Sequence, residues 1–375
     1  MLRITTGRAF VLAVAMLVPA CGGGSSGAGM GTPPSPSLPL ASVTTPSGSQ
    51  HSVVPIEFTL IDAESDPISV AIFYSDDGGT TFRPATAAFG SGSLDNLASS
   101  PSGTAHTFLW NSLDDAVAAG TYVFGGITSL GVVNPEVQIR VVPKGGTAGT
   151  TPNFVVDNTL NRFIGSVAAT YPHNFAIIGV SETAEGDLVA DAMRSRYGVQ
   201  LAFQNGWGIR EPLPTAFGPA STALRRPLAG YGAGPAYDLV YADIALMLPF
   251  GNRVVTRTVT GAQLWAILEQ GVSYYPANNN GFPQISGFRF TFKASNPVGS
   301  RVTSVTLEGG GAILKDSTTY TFATNDFLNA GGDYYTMLND GQGVARESLA
   351  QVVADWIEAA GTVTPTIAGR ITVVP

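Results

Sequence analysis

The stretch Glu182-Thr183-Ala184-Glu185-Gly186-Asp187-Leu188-Val189-Ala190-Asp191-Ala192-Met193 decides how the second half of this chain reads. Within 186–197, Leu188, Ala192 and Met193 recur at helical spacing and share one face, which predicts an amphipathic helix. The same spacing recurs at 261–271 (Leu264, Ile267, Leu268) and at 347–359 (Leu349, Val352, Val353, Trp356). Strand-like runs lie between these helices, so 156–375 reads as one α+β domain.

Working outward, the 375 residues are long enough for two domains of about 150 residues each. Charged residues make up 12% against 44% hydrophobic, with 45 Gly and 25 Pro. That balance excludes disorder of the whole chain and suits turn-rich β structure. A formal charge of −8 argues against nucleic acid as a partner, because phosphate binding draws on excess Lys and Arg.

The N-terminus has its own pattern. Arg3 and Arg8 precede an apolar run over 9–18, which fits an export signal and is too short to span a bilayer. Val18-Pro19-Ala20-Cys21 resembles a lipobox, with Pro19 unusual in it, and places the single cysteine where a lipid-acceptor thiol falls. The alternative is a signal peptide cut elsewhere and a buried Cys21. Residues 22–39 are rich in Gly, Ser and Pro and lack any apolar period. The resulting expectation is a signal peptide at 1–20, a lipid anchor on Cys21 and a flexible tether over 21–41. Such a protein belongs to the bacterial cell envelope, at the outer membrane or cell surface, with the membrane as a partner through its lipid.

From 42 to 143 the apolar residues alternate in bursts, as in Ile56-Glu57-Phe58-Thr59-Leu60, His106-Thr107-Phe108-Leu109-Trp110 and Val137-Gln138-Ile139-Arg140-Val141. Period two predicts half-buried strands, and the turn clusters between them suggest an immunoglobulin-like or fibronectin-like β-sandwich. Asp62, Glu64 and Asp66 read as a solvated turn, with Ca²⁺ as the alternative. Residues 75–82 (SDDGGTTF) resemble a single Asp-box hairpin, a structural device. The Gly/Thr-rich segment 144–155 reads as a linker.

Five stretches of the second half, taken in order, carry a resemblance. They are 182–193, Asn205-Gly206-Trp207-Gly208-Ile209-Arg210, Leu248-Pro249-Phe250-Gly251-Asn252, Gly281-Phe282-Pro283-Gln284-Ile285-Ser286-Gly287 and Asn325-Asp326-Phe327-Leu328-Asn329-Ala330-Gly331-Gly332-Asp333. Together they resemble the C-terminal, substrate-binding domain of the 5′-nucleotidase family. The resemblance implies a nucleotide or nucleoside ligand whose base stacks between Phe250 and Phe327, and a place in nucleotide catabolism. It further implies that Asn252 and Asn205 offer amide groups, that Asp333 accepts from ribose hydroxyls, and that Arg210 presents a fork to phosphate. Gly251, Gly287, Gly331 and Gly332 would let backbone approach the ligand. Read without the family, Phe250 is also what core packing would ask for, and Gly331-Gly332-Asp333 is also a turn.

The chain departs from the family in two respects. The three histidines, His51, His106 and His173, stand in no motif that would hold two metals, so no cofactor and no catalytic residue is assigned here. Arginines that would complete a phosphate clamp ahead of the first helix are replaced by Ser181, Glu182 and Glu185, two of them acidic, with Arg225 or Arg226 as possible substitutes. Three functions follow: a lipid-anchored nucleotide-binding protein; half of a split hydrolase, whose separate metallophosphatase chain would bring the divalent metals; or a surface scaffold with a vestigial pocket.

Overall fold

The strands Val53–Ile61 and Asn134–Pro143 carry the alternation read in the sequence: Val54, Ile56, Phe58 and Leu60 are buried while Pro55 and Glu57 are exposed, and Val137, Ile139 and Val141 are buried in turn. The computed structural model describes residues 36–375. The signal peptide, Cys21 and the tether up to residue 35 lie outside the described residues. Residues 37–375 form one compact unit.

Two sheets build the N-terminal part. Leu40–Val43, Val53–Ile61 and Thr104–Asn111 pair in that order, antiparallel throughout. The second sheet runs Ser49–Gln50, Phe154–Val156, Asn134–Pro143, Val70–Ser75, Arg83–Pro84. Ile56, Phe58, Phe108 and Trp110 from the first and Ile72, Tyr74, Ile139 and Val156 from the second share one apolar core. Each such side chain, fully buried, contributes about 1.5–3 kcal/mol. In the 75–82 turn the Asp77 carboxylate accepts from the Thr81 N–H (2.8 Å) and the Ser75 hydroxyl (2.7 Å). Those bonds hold its carboxyl down at about 2. Asp62 accepts from the Asp66 N–H at 2.8 Å, which makes that acidic run a closed turn.

The two boundaries of this region differ from the sequence reading. Leu40 and Ala41, assigned to the tether, belong to the first strand, and Ala41 is 2% exposed. The 144–155 segment is no free linker: Gly149–Thr150 and Phe154–Val156 both pair with Asn134–Pro143, and Phe154 and Val156 lie in the core.

The second part is built on a five-stranded sheet in the order Pro283–Ser286, Leu201–Asn205, Thr319–Asn325, Arg253–Thr260, Val344–Ser348. Successive residues of a strand face opposite ways. Ala202 and Ala323 accordingly join the core under Ala184–Tyr197 and Leu349–Ala360, while Phe203 and Phe322 join the core under Gly261–Gly271. The helix starts are set by caps: Thr183 accepts from the Gly186 N–H, Thr260 forms a capping box with Gln263, and Ser348 accepts from the Gln351 N–H. This last cap places Glu347 at the end of a strand and not in the helix.

The two parts are joined by polar contacts. Arg253 binds Asp114 through both terminal nitrogens (3.1 and 2.8 Å), and the Phe89 N–H donates to Glu347 at 2.9 Å.

Candidate functional site

Leu201–Asn205 and Thr319–Asn325 run parallel, and Arg253–Thr260 runs antiparallel beside the second of them. Their register brings Asn205, Asn325 and the residues leading into Arg253 to one end of the sheet, as Val254 lies opposite Asn325. Three irregular segments leave that end. The first is the turn Gly206–Gly208, which leads to Arg210. The second is the Leu248–Asn252 connection carrying Phe250, and the third is the helical turn Asp326–Asn329 carrying Phe327.

A buried chain of amides holds these segments together. Asn325 donates to both Gln204 Oε1 and Asn205 Oδ1 (2.9 Å each) and accepts from the Leu328 N–H at 2.8 Å. Asn205 donates to the Asp333 carboxylate at 2.8 Å, and Asn252 donates to Asp326 at 2.8 Å. The bonds of Asn325 satisfy buried groups whose burial without a partner would cost about 1–3 kcal/mol each, so the network fixes one arrangement of the sheet end. Asp333 itself sits at φ 49°, a left-handed conformation that is uncommon for a residue with a Cβ. Burial pushes its carboxyl above the ordinary carboxylate value, against the opposing effect of the Asn205 donor.

A cavity of about 380 Å³ opens here, lined by Asn205, Trp207, Gly208, Arg210, Phe250, Asn252, Asn280, Phe327 and Asp333. Six residues singled out from the sequence therefore meet: Asn205, Arg210, Phe250, Asn252, Phe327 and Asp333. Phe250 and Phe327 are 46% and 45% exposed, so Phe250 is not the core residue that its surroundings in the sequence also permit. Arg210 forms no ion pair among the described residues. It lies among rings instead, its guanidinium carbon 4.4 Å from the Phe175 centroid and 5.8 Å from that of Phe250.

Gly287 is not part of this group. It lies between Pro283–Ser286 and Phe288–Lys293 with φ +88°, and a Cβ there would run into the Gln200 carbonyl oxygen, so its role is in the backbone of the sheet.

The substitute arginines also have other roles. Arg226 is wholly buried against Asp243 (2.6 and 2.8 Å) and donates to the carbonyls of Phe217 and Asp238, while Arg225 pairs with Asp238. The two acidic residues turn inward, Glu182 from just ahead of the helix Ala184–Tyr197 and Glu185 from its first turn. Glu185 pairs with His173 at 2.6 Å, and Glu182 accepts from the N–H groups of Arg370 and Ile371. Neither adds negative charge to the cavity wall.

Sequence reasoning quoted Trp207 and Gly208 within a motif without giving them a role, and missed Asn280 and Phe175. The Asn278-Asn279-Asn280 run just ahead of the Gly281 motif was the available signal for Asn280.

His51 pairs with Glu358, His106 binds the Ala98 carbonyl and His173 binds Glu185. Among the described residues no group of three or more His, Cys, Asp or Glu is placed to hold a metal ion, so these side chains do not fit a two-metal centre.

The fold and the cavity define a sheet-rich α+β domain with a polar, aromatic-walled site at one sheet end. Residues 164–340 match the family described as 5′-nucleotidase, C-terminal domain, and this part of the chain carries a domain of that type. It is 31% identical over 170 residues to the trifunctional nucleotide phosphoesterase protein YfkN of Bacillus subtilis, covering 44% of this chain and 10% of that protein. It is 30% identical over 213 residues to the cell wall protein Lmo0130 of Listeria monocytogenes, covering 54% of this chain and 24% of that one. The chain thus spans less than a quarter of the length of either relative. Among solved structures, the 5′-nucleotidase precursor of Thermus thermophilus aligns with a TM-score of 0.48 at 25% identity, over 64% of this chain and 50% of that one. No described helix is long and apolar enough to cross a membrane.

Proposed function

We propose that this protein binds a nucleotide or nucleoside in the cavity between Phe250 and Phe327. The observation that carries this reading is the meeting of two half-exposed rings, a carboxylate and an unpaired arginine in one cavity of about 380 Å³. Two such rings suit a planar base, because stacking needs only a π-face and tolerates different bases. Asp333, held by Asn205, accepts from ribose hydroxyls, Asn252 and Asn280 offer amide groups to a base edge, and Arg210 receives an anion such as phosphate. We read the role as nucleotide catabolism at the bacterial envelope, with attachment through a lipid on Cys21. We read the two-sheet region from Leu40 to Val156 as an immunoglobulin-like stalk for the 5′-nucleotidase C-terminal-type domain.

The residues of this chain carry binding and orientation, and no hydrolytic step is routed through them. A second reading follows from the short spans matched in the longer relatives: the chain is the substrate-binding half of a split phosphohydrolase whose metals arrive with a separate metallophosphatase chain.

Calorimetric titration of the full chain with adenosine and AMP, with and without Mn²⁺ or Zn²⁺ and with released phosphate assayed, tests both readings. Binding without phosphate release is expected, with loss of about 1–3 kcal/mol in Phe250→Ala and in Phe327→Ala proteins that remain folded. No heat with either ligand would leave a surface scaffold with a vestigial pocket. Metal-dependent phosphate release by the chain alone would overturn the non-catalytic reading.

A further inference from the structure

The strands Thr121–Val123 and Gly126–Ser129 form a hairpin that projects from the N-terminal part of the chain, with Tyr122 opposite Ile127. Tyr122 and Ile127 pack against the apolar core of the second part, so the hairpin is seated at a defined place. Its turn carries Phe124. That ring lies parallel to Phe250, with centroids 5.0 Å apart and planes 10° apart. The Arg210 guanidinium carbon lies 5.1 Å from the Phe124 centroid.

Phe124 is 58% exposed, so it is not there to fill a core. It does not line the cavity either. Phe124 therefore covers one face of Phe250 without itself lining the cavity. Parallel, offset rings at this separation attract one another beyond the area they bury, and a guanidinium over a ring adds a further attraction. The position of Phe250, on an irregular connection between Leu248 and Asn252, gives it no other ring partner among the described residues.

We propose that Phe124 is a positioning residue of the ligand site: it backs Phe250 and flanks Arg210, so that a stacking face and an anion-binding fork are presented together. The N-terminal part of the chain then supplies a portion of the site, and the ligand class that uses the whole of it is a planar aromatic ring system carrying an anion, as in a nucleoside monophosphate. This rests on the reading of the cavity given under the proposed function.

The test uses the full chain as wild type, Phe124→Ala, Phe124→Leu and Phe124→Tyr. Each is titrated with AMP and adenosine, and amide hydrogen exchange over 249–252 is followed without ligand. A contact of this kind is worth roughly two- to tenfold in an equilibrium constant. Phe124→Ala and Phe124→Leu are expected to weaken AMP binding by that factor and to speed exchange over 249–252, while Phe124→Tyr restores both. For adenosine, which lacks the phosphate, Phe124→Ala is expected to have no further effect in a protein already carrying Phe250→Ala. Unchanged exchange in Phe124→Ala overturns the proposal whether or not the wild type binds. Unchanged AMP affinity in Phe124→Ala, with a wild type that binds, overturns it and leaves the ligand reading intact. Faster exchange in Phe124→Ala with a wild type that binds neither ligand removes the ligand reading on which the proposal rests and retains only the hold of Phe124 on Phe250.

Discussion

Arg210 and Arg370 each border a cavity of the same domain, yet the two corners are built in opposite ways. The cavity beside Arg370 is the larger, about 560 Å³ against about 380 Å³. Its arginine is already engaged: Arg370 contacts Asp191 at 2.8 Å, Glu308 at 2.9 Å and Asp187 at 3.3 Å, and donates to the Ile285 carbonyl at 2.8 Å. Arg210 has no carboxylate partner among the described residues, only a long 3.5 Å bond to the Trp207 carbonyl and aromatic neighbours. A cation whose charge is already balanced stabilises the fold, whereas one left among rings at a cavity wall is available to an incoming anion. Volume alone would favour the corner whose arginine is already engaged.

The comparison breaks most visibly in stability. Arg370→Ala leaves Asp187 and its neighbours facing one another in a buried setting. It is expected to cost about 3–5 kcal/mol in denaturant unfolding. Arg210→Ala has no such network to break and is expected to leave unfolding within about 1 kcal/mol of wild type. In binding the order reverses. Arg210→Ala is expected to weaken AMP binding by about 1.5–3 kcal/mol, the range for a hydrogen bond to a charged group, and to leave adenosine binding nearly unchanged. An equal loss for both ligands would mean that Arg210 supports the cavity without contacting phosphate.

The smallest effect is in pH. Because burial raises the Asp333 carboxyl, it takes up a proton at a higher pH than a free aspartate. As pH falls through that raised value the acceptor for ribose hydroxyls is lost, so adenosine affinity is expected to decline above the ordinary aspartate range. Stability moves the other way: the contribution of Asp333 is fully present below the unfolded value of 3.8 and is lost as pH rises through the folded one. Asp333→Asn should flatten the affinity profile, which titrations across that range would read.

Much of the site was legible because its residues combine types that packing does not ask for together. Asn205, Arg210, Asn252 and Asp333 beside Phe250 and Phe327 are legible as a set, and the sheet register brings them together. The helices were legible through their periodic faces, with Gly261–Gly271 matching the expected bounds. Gly287 was misplaced because a glycine that relieves a backbone clash looks the same in sequence as one that admits a ligand. Arg225 and Arg226 were misread because Asp238 and Asp243, their partners, are distant enough in the chain to give no local signal. Phe124 lay beyond reach, since its partner Phe250 is brought to it by the tertiary fold.

The 144–155 segment gives the last lesson. Its glycines suggest freedom, yet a Cβ on Gly149 would approach the Ala41 carbonyl oxygen to 2.5 Å, and Thr147 exchanges backbone hydrogen bonds with Pro39 and Ala41. Glycine is there so that chain can lie against chain. A protease needs an exposed, loosely held stretch to thread into its cleft, and this segment withholds one. Proteolytic nicking would therefore begin elsewhere in the molecule than at the junction between its two parts.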